Sequence, residues 1–109
     1  MASPPSLILD EPCAGLDPVA REHFLQFLQR LACGQKPPTL VFVTHHLEEI
    51  TPVFSHVLIL RGGRSVACGP KKSVLTSTLL SAAFHAPLRL QRRDRRYHLK
   101  FLQKSRQLM

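Results

Sequence analysis

Two short apolar runs, each cut off by polar residues and separated by one amphipathic stretch, constrain this chain more than any other feature. Ser6-Leu7-Ile8-Leu9 stops at Asp10-Glu11-Pro12, and Leu40-Val41-Phe42-Val43-Thr44 stops at His45-His46. Neither run alternates with polar residues, which is the pattern of strands buried on both faces in parallel sheets. Between them Val19, Phe24, Phe27, Leu28 and Leu31 recur at three- and four-residue spacing, forming one apolar helical stripe. Asp17-Pro18 marks the start of that helix: a capping carboxylate, then a proline whose missing N–H costs nothing there. Gly34 and Pro37-Pro38 mark its end. A strand, a crossover helix and a second strand predict a parallel pair.

Beyond this unit the pattern predicts a short helical stretch from about Leu47 to Phe54, crossed by Pro52. Two strands follow, His56 to Arg61 and Arg64 to Cys68, joined at Gly62-Gly63, a dipeptide suited to a tight hairpin turn. Gly69-Pro70 then leads to a helix over Ser73 to Phe84. The expected fold class is α/β, with parallel strands, flanking helices and a C-terminal β-hairpin. Two parallel strands and a hairpin make a poor sheet alone, because parallel strands need cover on both faces and paired edges. The pattern therefore reads as the later part of a doubly wound domain.

The 109 residues leave room for one small domain or part of a larger one, and a hydrophobic content of 44% permits a packed core. No apolar run approaches the roughly 20 residues needed to span a bilayer. The opening Met-Ala-Ser-Pro-Pro-Ser lacks a basic leader and meets Asp10 too soon for a signal peptide, so a cytosolic chain is expected. Cys13, Cys33 and Cys68 are widely spaced with no CxxC pair, which points to reduced thiols rather than a disulfide framework or zinc site. Charge is uneven. Up to Leu88 there are seven Lys/Arg against six Asp/Glu; from Arg89 onward there are eight against one. The division expected is a body over residues 1–88 and a basic extension over residues 89–109. That extension reads as solvated, or as a terminal helix packed through Leu99, Phe101 and Leu102.

Asp10 and Glu11 stand at the carboxyl end of a strand, where open α/β sheets bind ligands. Successive strand residues point to opposite sides, so the two acids need not share a task. One can hold hydrated magnesium, and the other can orient or deprotonate a water. Taken alone, the same pair also suits an acidic strand end ahead of a helix cap. His45 closes the second strand and can reach a phosphate from the same edge, or stand solvated. His46 points elsewhere, and His23, His56, His85 and His98 are scattered.

The ordered set carries more than its parts. Leu7-Ile8-Leu9-Asp10-Glu11-Pro12, then Ala14-Gly15-Leu16-Asp17, then Val43-Thr44-His45 resembles the Walker B, D-loop and switch-histidine motifs of the ABC ATPase family, in the same order and at about the same spacing. Val57-Leu58-Ile59-Leu60-Arg61-Gly62-Gly63-Arg64 through Gly69-Pro70 continues the likeness, which runs from about Pro5 to Leu88. The resemblance implies part of a P-loop NTPase-like layer using ATP and Mg²⁺. Asp10 would hold the ion through its water shell, and Glu11 would be the general base. His45 would contact the γ-phosphate, and Asp17 with Ala14 to Leu16 would face a second ABC ATPase domain across a nucleotide-sandwiching dimer. A membrane permease subunit and a place at the inner face of the cell membrane are the family's default.

The family's phosphate-binding loop, GxxxxGK[ST], has no match among the residues, nor has its LSGGQ signature. Leu60-Arg61-Gly62-Gly63-Arg64 resembles the signature only faintly, and a hairpin turn explains its glycines. The expectation is therefore a C-terminal portion of an ABC ATP-binding subunit that is inactive without the earlier half of its domain. A truncation, a gene remnant and half of a split ATPase all fit. Two rival readings are a small nucleic-acid binder driven by the basic tail and a module that docks on an ABC ATPase. Tyr97 and Phe101 are too few aromatics for a stacking platform, which argues against nucleic acid.

Overall fold

The computed structural model describes residues 5–102 and parts into two compact units, one ending at Val53 and the other beginning at Phe54. In the first unit, β1 (Ser6–Asp10) and β2 (Thr39–Val43) pair in parallel, with Leu7 opposite Leu40 and Asp10 opposite Val43. Between them runs α1 (Pro18–Ala32). Its start follows the expected chemistry: Asp17 is extended, Pro18 occupies the first turn, and the Ala20 N–H donates to Asp17 Oδ1 at 2.8 Å.

The apolar stripe of α1 is partly the expected one, with Leu28 buried and Phe24 and Leu31 half-buried. Leu25 and Leu28 are its buried residues, whereas Val19 is 65% and Phe27 48% exposed. Three- and four-residue spacing admits more than one stripe, and Leu25 lies one residue beside the one read from sequence. The strands also differ from expectation. Leu7, Leu9, Leu40 and Phe42 are half-buried, but Ile8, Val41 and Val43 are exposed. A two-stranded pair has one face open here rather than both covered. The helical stretch expected to reach Phe54 is a single 3₁₀ turn, Leu47–Glu49. Pro52 lacks an N–H and disfavours helical backbone at the residue before it, which stops the helix early.

The second unit opens with β3 (His56–Arg61) and β4 (Arg64–Pro70), antiparallel, with an irregularity in register between Ile59 and Leu60. Gly62 and Gly63 turn the hairpin at φ 57° and 75°, a pair of positive values that glycine adopts without a Cβ clash. The helix expected over Ser73 to Phe84 is two pieces, α2 (Lys71–Val74) and α3 (Ser77–Phe84). Thr76 breaks them, its backbone extended and its hydroxyl capping the Leu79 N–H at 3.1 Å.

The basic stretch is neither a solvated tail nor a helix over its described residues. The boundary expected at Leu88 falls on the first residue of β5 (Leu88–Arg93), which pairs antiparallel with β6 (Arg96–Phe101) through a turn at Asp94 and Arg95. Lys104 and Arg106 lie outside the described residues. Alternation explains how so basic a stretch folds. Leu88, Leu90, Arg92, Tyr97, Leu99 and Phe101 share one face; Arg89, Gln91, Arg93, Arg96, His98 and Lys100 share the other. Leu88 and Tyr97 are buried with Leu80 and Ala83 of α3, and the Arg92 guanidinium lies 5.7 Å over the Tyr97 ring. Two serines fasten β5 to α3. Ser81 Oγ both donates to the Leu88 carbonyl and accepts its N–H, and Ser77 Oγ accepts from the Leu90 N–H at 2.9 Å. Arg61 of β3 donates to the Ala83 carbonyl at the end of α3.

The cap at Asp17 gives a stability test. Asp17→Ala removes the only side-chain acceptor for the Ala20 N–H in this turn and should lower stability by about 1 kcal/mol in urea unfolding followed by circular dichroism. Asp17→Asn, which caps equally well, should stay within a few tenths of wild type.

Candidate functional site

Parallel pairing brings the sequence-predicted residues to one edge of the first unit. The last pair of the ladder sets Asp10 beside Val43, and the Glu11 N–H extends the pairing by donating to the Val43 carbonyl at 2.8 Å. Glu11 then leaves the strand at φ 46°, a left-handed conformation uncommon outside glycine, Asn and Asp. Such a conformation costs on the order of 1 kcal/mol or more. The Ala14 N–H donates to the Glu11 carbonyl at 3.1 Å, closing the turn that leads toward the Asp17 cap.

The result is a direct approach of two side chains from different strand ends. His45 Nε2 lies 3.3 Å from Glu11 Oε1. The His45 side chain is 78% exposed and that of Glu11 45%, so both are open to a ligand. A contact this exposed contributes little stability. Asp10, exposed at the end of β1, adds a second carboxylate at the same edge. Among the described residues no three His, Cys, Asp or Glu side chains cluster as a protein-only metal cage. Asp10 is instead the kind of oxygen donor that Mg²⁺ uses alongside water and phosphate oxygens. Asp10, Glu11 and His45 are thus brought together, whereas Asp17 caps α1 beyond the Cys13–Leu16 turn. His46 turns away as expected, its Nδ1 3.4 Å from Glu48 Oε1.

Sequence reasoning missed what stands behind His45. Glu49 is 2% exposed, a buried carboxylate. Its Oε1 accepts from Thr44 Oγ1 at 2.6 Å, and its Oε2 is 3.8 Å from Arg21 Nη1 on α1. Thr44 Oγ1 also accepts from the His46 N–H at 3.0 Å. No local sequence signal distinguishes the buried Glu49 from its neighbour Glu48. Cys13 lies near the same group. Burial pushes its thiol up from the ordinary 9.0, and the Glu49 carboxylate adds to the rise while Arg21 opposes it. The shallow depression lined by Gln26, Gln29, Arg30 and Cys33 includes none of these residues.

A raised thiol pKa favours the neutral form in the folded chain. The associated stability is present below the ordinary thiol range and is lost as pH climbs through the raised value. Cys13 is also 6% exposed, while Cys33 and Cys68 are exposed. Graded iodoacetamide labelling at mildly alkaline pH, read by mass spectrometry, should therefore modify Cys33 and Cys68 well before Cys13. Equal rates at all three would overturn this burial.

No protein-family model matches the chain. It is similar to the uncharacterized ABC transporter ATP-binding protein YlmA of Bacillus subtilis, 46% identical over 88 residues, covering 81% of this chain and 33% of that protein. It is 37% identical over 86 residues to the energy-coupling factor transporter ATP-binding protein EcfA2 of Acetivibrio thermocellus, covering 77% of this chain and 30% of that one. It is 40% identical over 77 residues to the molybdenum import ATP-binding protein ModC of a Shewanella species, covering 71% and 21%. A solved structure of a metal-chelate type ABC transporter in an inward-facing conformation superposes with a TM-score of 0.76 at 28% identity, covering 92% of this chain and 41% of that one. The chain spans about a third or less of these three curated relatives.

Proposed function

Because the chain belongs to the ABC transporter ATP-binding proteins, as a C-terminal portion of such a subunit, we propose that its strand-end cluster carries part of an ATP-hydrolysis site. The observation that supports this most is the 3.3 Å approach of Glu11 to His45, with Asp10 at the same edge.

In this reading Asp10 would hold Mg²⁺ through its water shell, and the ion would supply positive charge to offset that of the phosphates. Glu11 takes a proton from the attacking water as its oxygen bonds to the γ-phosphorus, and the bond to ADP breaks. The left-handed turn at Glu11 swings the carboxylate off the strand axis toward His45. His45 Nε2, 3.3 Å from the Glu11 carboxylate, would serve as a donor to the γ-phosphoryl group, stabilising charge as it spreads in transfer. Asp17 serves two ends, capping α1 and presenting the Ala14–Leu16 turn to a second ATP-binding domain.

The remaining parts of the proposal concern partners. The exposed Ile8, Val41 and Val43 fit an apolar face covered by another part of the ATP-binding domain, since the matched stretch makes up only 33% of the Bacillus relative. A permease subunit and a peripheral place at the inner face of the cell membrane belong to the same proposal, supported by the similarity to transporter ATP-binding proteins. Among the described residues no helix is long and apolar enough to cross a membrane. The cationic face of the β5–β6 hairpin bears no Phe, Tyr or Trp, so single-stranded nucleic acid finds no stacking platform there.

Two assays test the reading. Alone, the 109-residue chain should release phosphate from Mg-ATP only at background rate, for want of a phosphate cradle. Residues 5–88 placed in the matching segment of Bacillus subtilis YlmA should support hydrolysis. Within that hybrid Glu11→Gln should lower kcat by about 10²- to 10⁴-fold. His45→Ala should lower it by about 10²-fold or more. Undiminished turnover in Glu11→Gln would remove Glu11 from the chemistry.

A further inference from the structure

A carboxylate buried to 2% exposure needs partners, because an unpaired buried charge costs several kcal/mol or neutralises. Glu49 has two, and they lie on either side of the histidine's support. Thr44 spends its single hydroxyl proton on Glu49 Oε1 at 2.6 Å, a short bond of the charge-assisted kind. Its oxygen lone pairs are thereby turned toward the His46 N–H, which donates to it at 3.0 Å. Residues 44 and 46, the two neighbours of His45, are thus tied to each other and through Thr44 to a buried anion. Arg21, 3.8 Å from Glu49 Oε2, links that anion to the helix capped by Asp17. The His45 side chain itself takes no part and stays 78% exposed.

We propose that Glu49 is a positioning residue: acting through the Thr44 hydroxyl, it fixes the backbone around His45 and so sets the approach of His45 Nε2 to Glu11. The geometry stands by itself, while its purpose rests on the hydrolytic reading above. A loop residue with an exposed ring loses its aim when its backbone is free to rotate. Here the aim is held from below by a bond sequence with one direction, His46 N–H to Thr44 Oγ1 and Thr44 O–H to Glu49 Oε1. The two-residue span from Thr44 Oγ1 to the His46 amide is a side-chain-closed turn, which offers the backbone a partner in place of water.

The test uses the ¹⁵N-labelled 109-residue chain and nuclear magnetic resonance. Thr44→Val keeps the shape and removes the hydroxyl, Thr44→Ser restores it, and Glu49→Ala removes the anion. The His46 amide should exchange about tenfold faster in Thr44→Val and Glu49→Ala, and within about twofold of the unaltered chain in Thr44→Ser. The nuclear Overhauser contact between the His45 ring and Glu11 should weaken in the first two variants and persist in the third. Amides paired between β1 and β2 report whether the unit remains folded. If Glu49→Ala unfolds it, the Thr44→Val and Thr44→Ser pair decides. A ring contact that survives unchanged in folded Thr44→Val overturns the positioning role. A ring contact missing from the unaltered chain instead sinks the Glu11–His45 site, and the positioning role with it. Neither readout depends on ATP turnover, so failed hydrolysis in the hybrid with these contacts intact would count against the hydrolytic reading alone.

Discussion

The first unit depends on one register: β1 and β2 side by side and parallel, ending together at Asp10 and Val43. Parallel pairing lets two strand ends separated by a helix discharge their next residues at the same edge. The Glu11 N–H adds a further bond to Val43, so the base candidate is anchored before its chain departs. A shift of one residue would turn Leu7 and Leu9 outward and part Glu11 from His45. The strand apolarity and the polar cluster are two consequences of one alignment.

The second unit is held together differently. Its two hairpins have no strand in common, and α3 connects with β5 through serine hydroxyls bonded to strand backbone. Ser81 serves both the donor and the acceptor of Leu88, which satisfies the start of a strand that no third strand accompanies. Leu80, Ala83, Leu88 and Tyr97 form the apolar contribution on the helix and hairpin.

Much of this was legible in the sequence for reasons that are local. Asp17-Pro18 announced a helix because the cap and the proline act within one turn, and Gly62-Gly63 announced a hairpin because only the turn needs them. The strand-end acids and His45 were legible as an ordered set, since spacing along the chain fixes which edge they reach. What escaped depended on tertiary choice. Leu25 and Phe27 are both apolar but lie on roughly opposite faces of α1, and only packing selects between them. Thr76 looks helix-compatible until its hydroxyl finds the Leu79 amide. Glu49 differs from Glu48 only in what surrounds it. The basic stretch hid a hairpin because its charge count drowned the alternation of Leu88, Leu90, Tyr97, Leu99 and Phe101.

That alternation has a consequence of its own. Because Arg89, Arg93, Arg96 and Lys100 lie on one face of the β5–β6 ribbon and apolar side chains form most of the other, sliding one strand by a single residue would drive arginines against α3 and strip Leu88 and Tyr97 of their cover. The cost of burying charge thus acts as a ratchet on alignment, favouring slips in steps of two. A charge surplus that resembles an address for some anionic partner is, at the level of folding, a proofreading device for the ribbon that carries it.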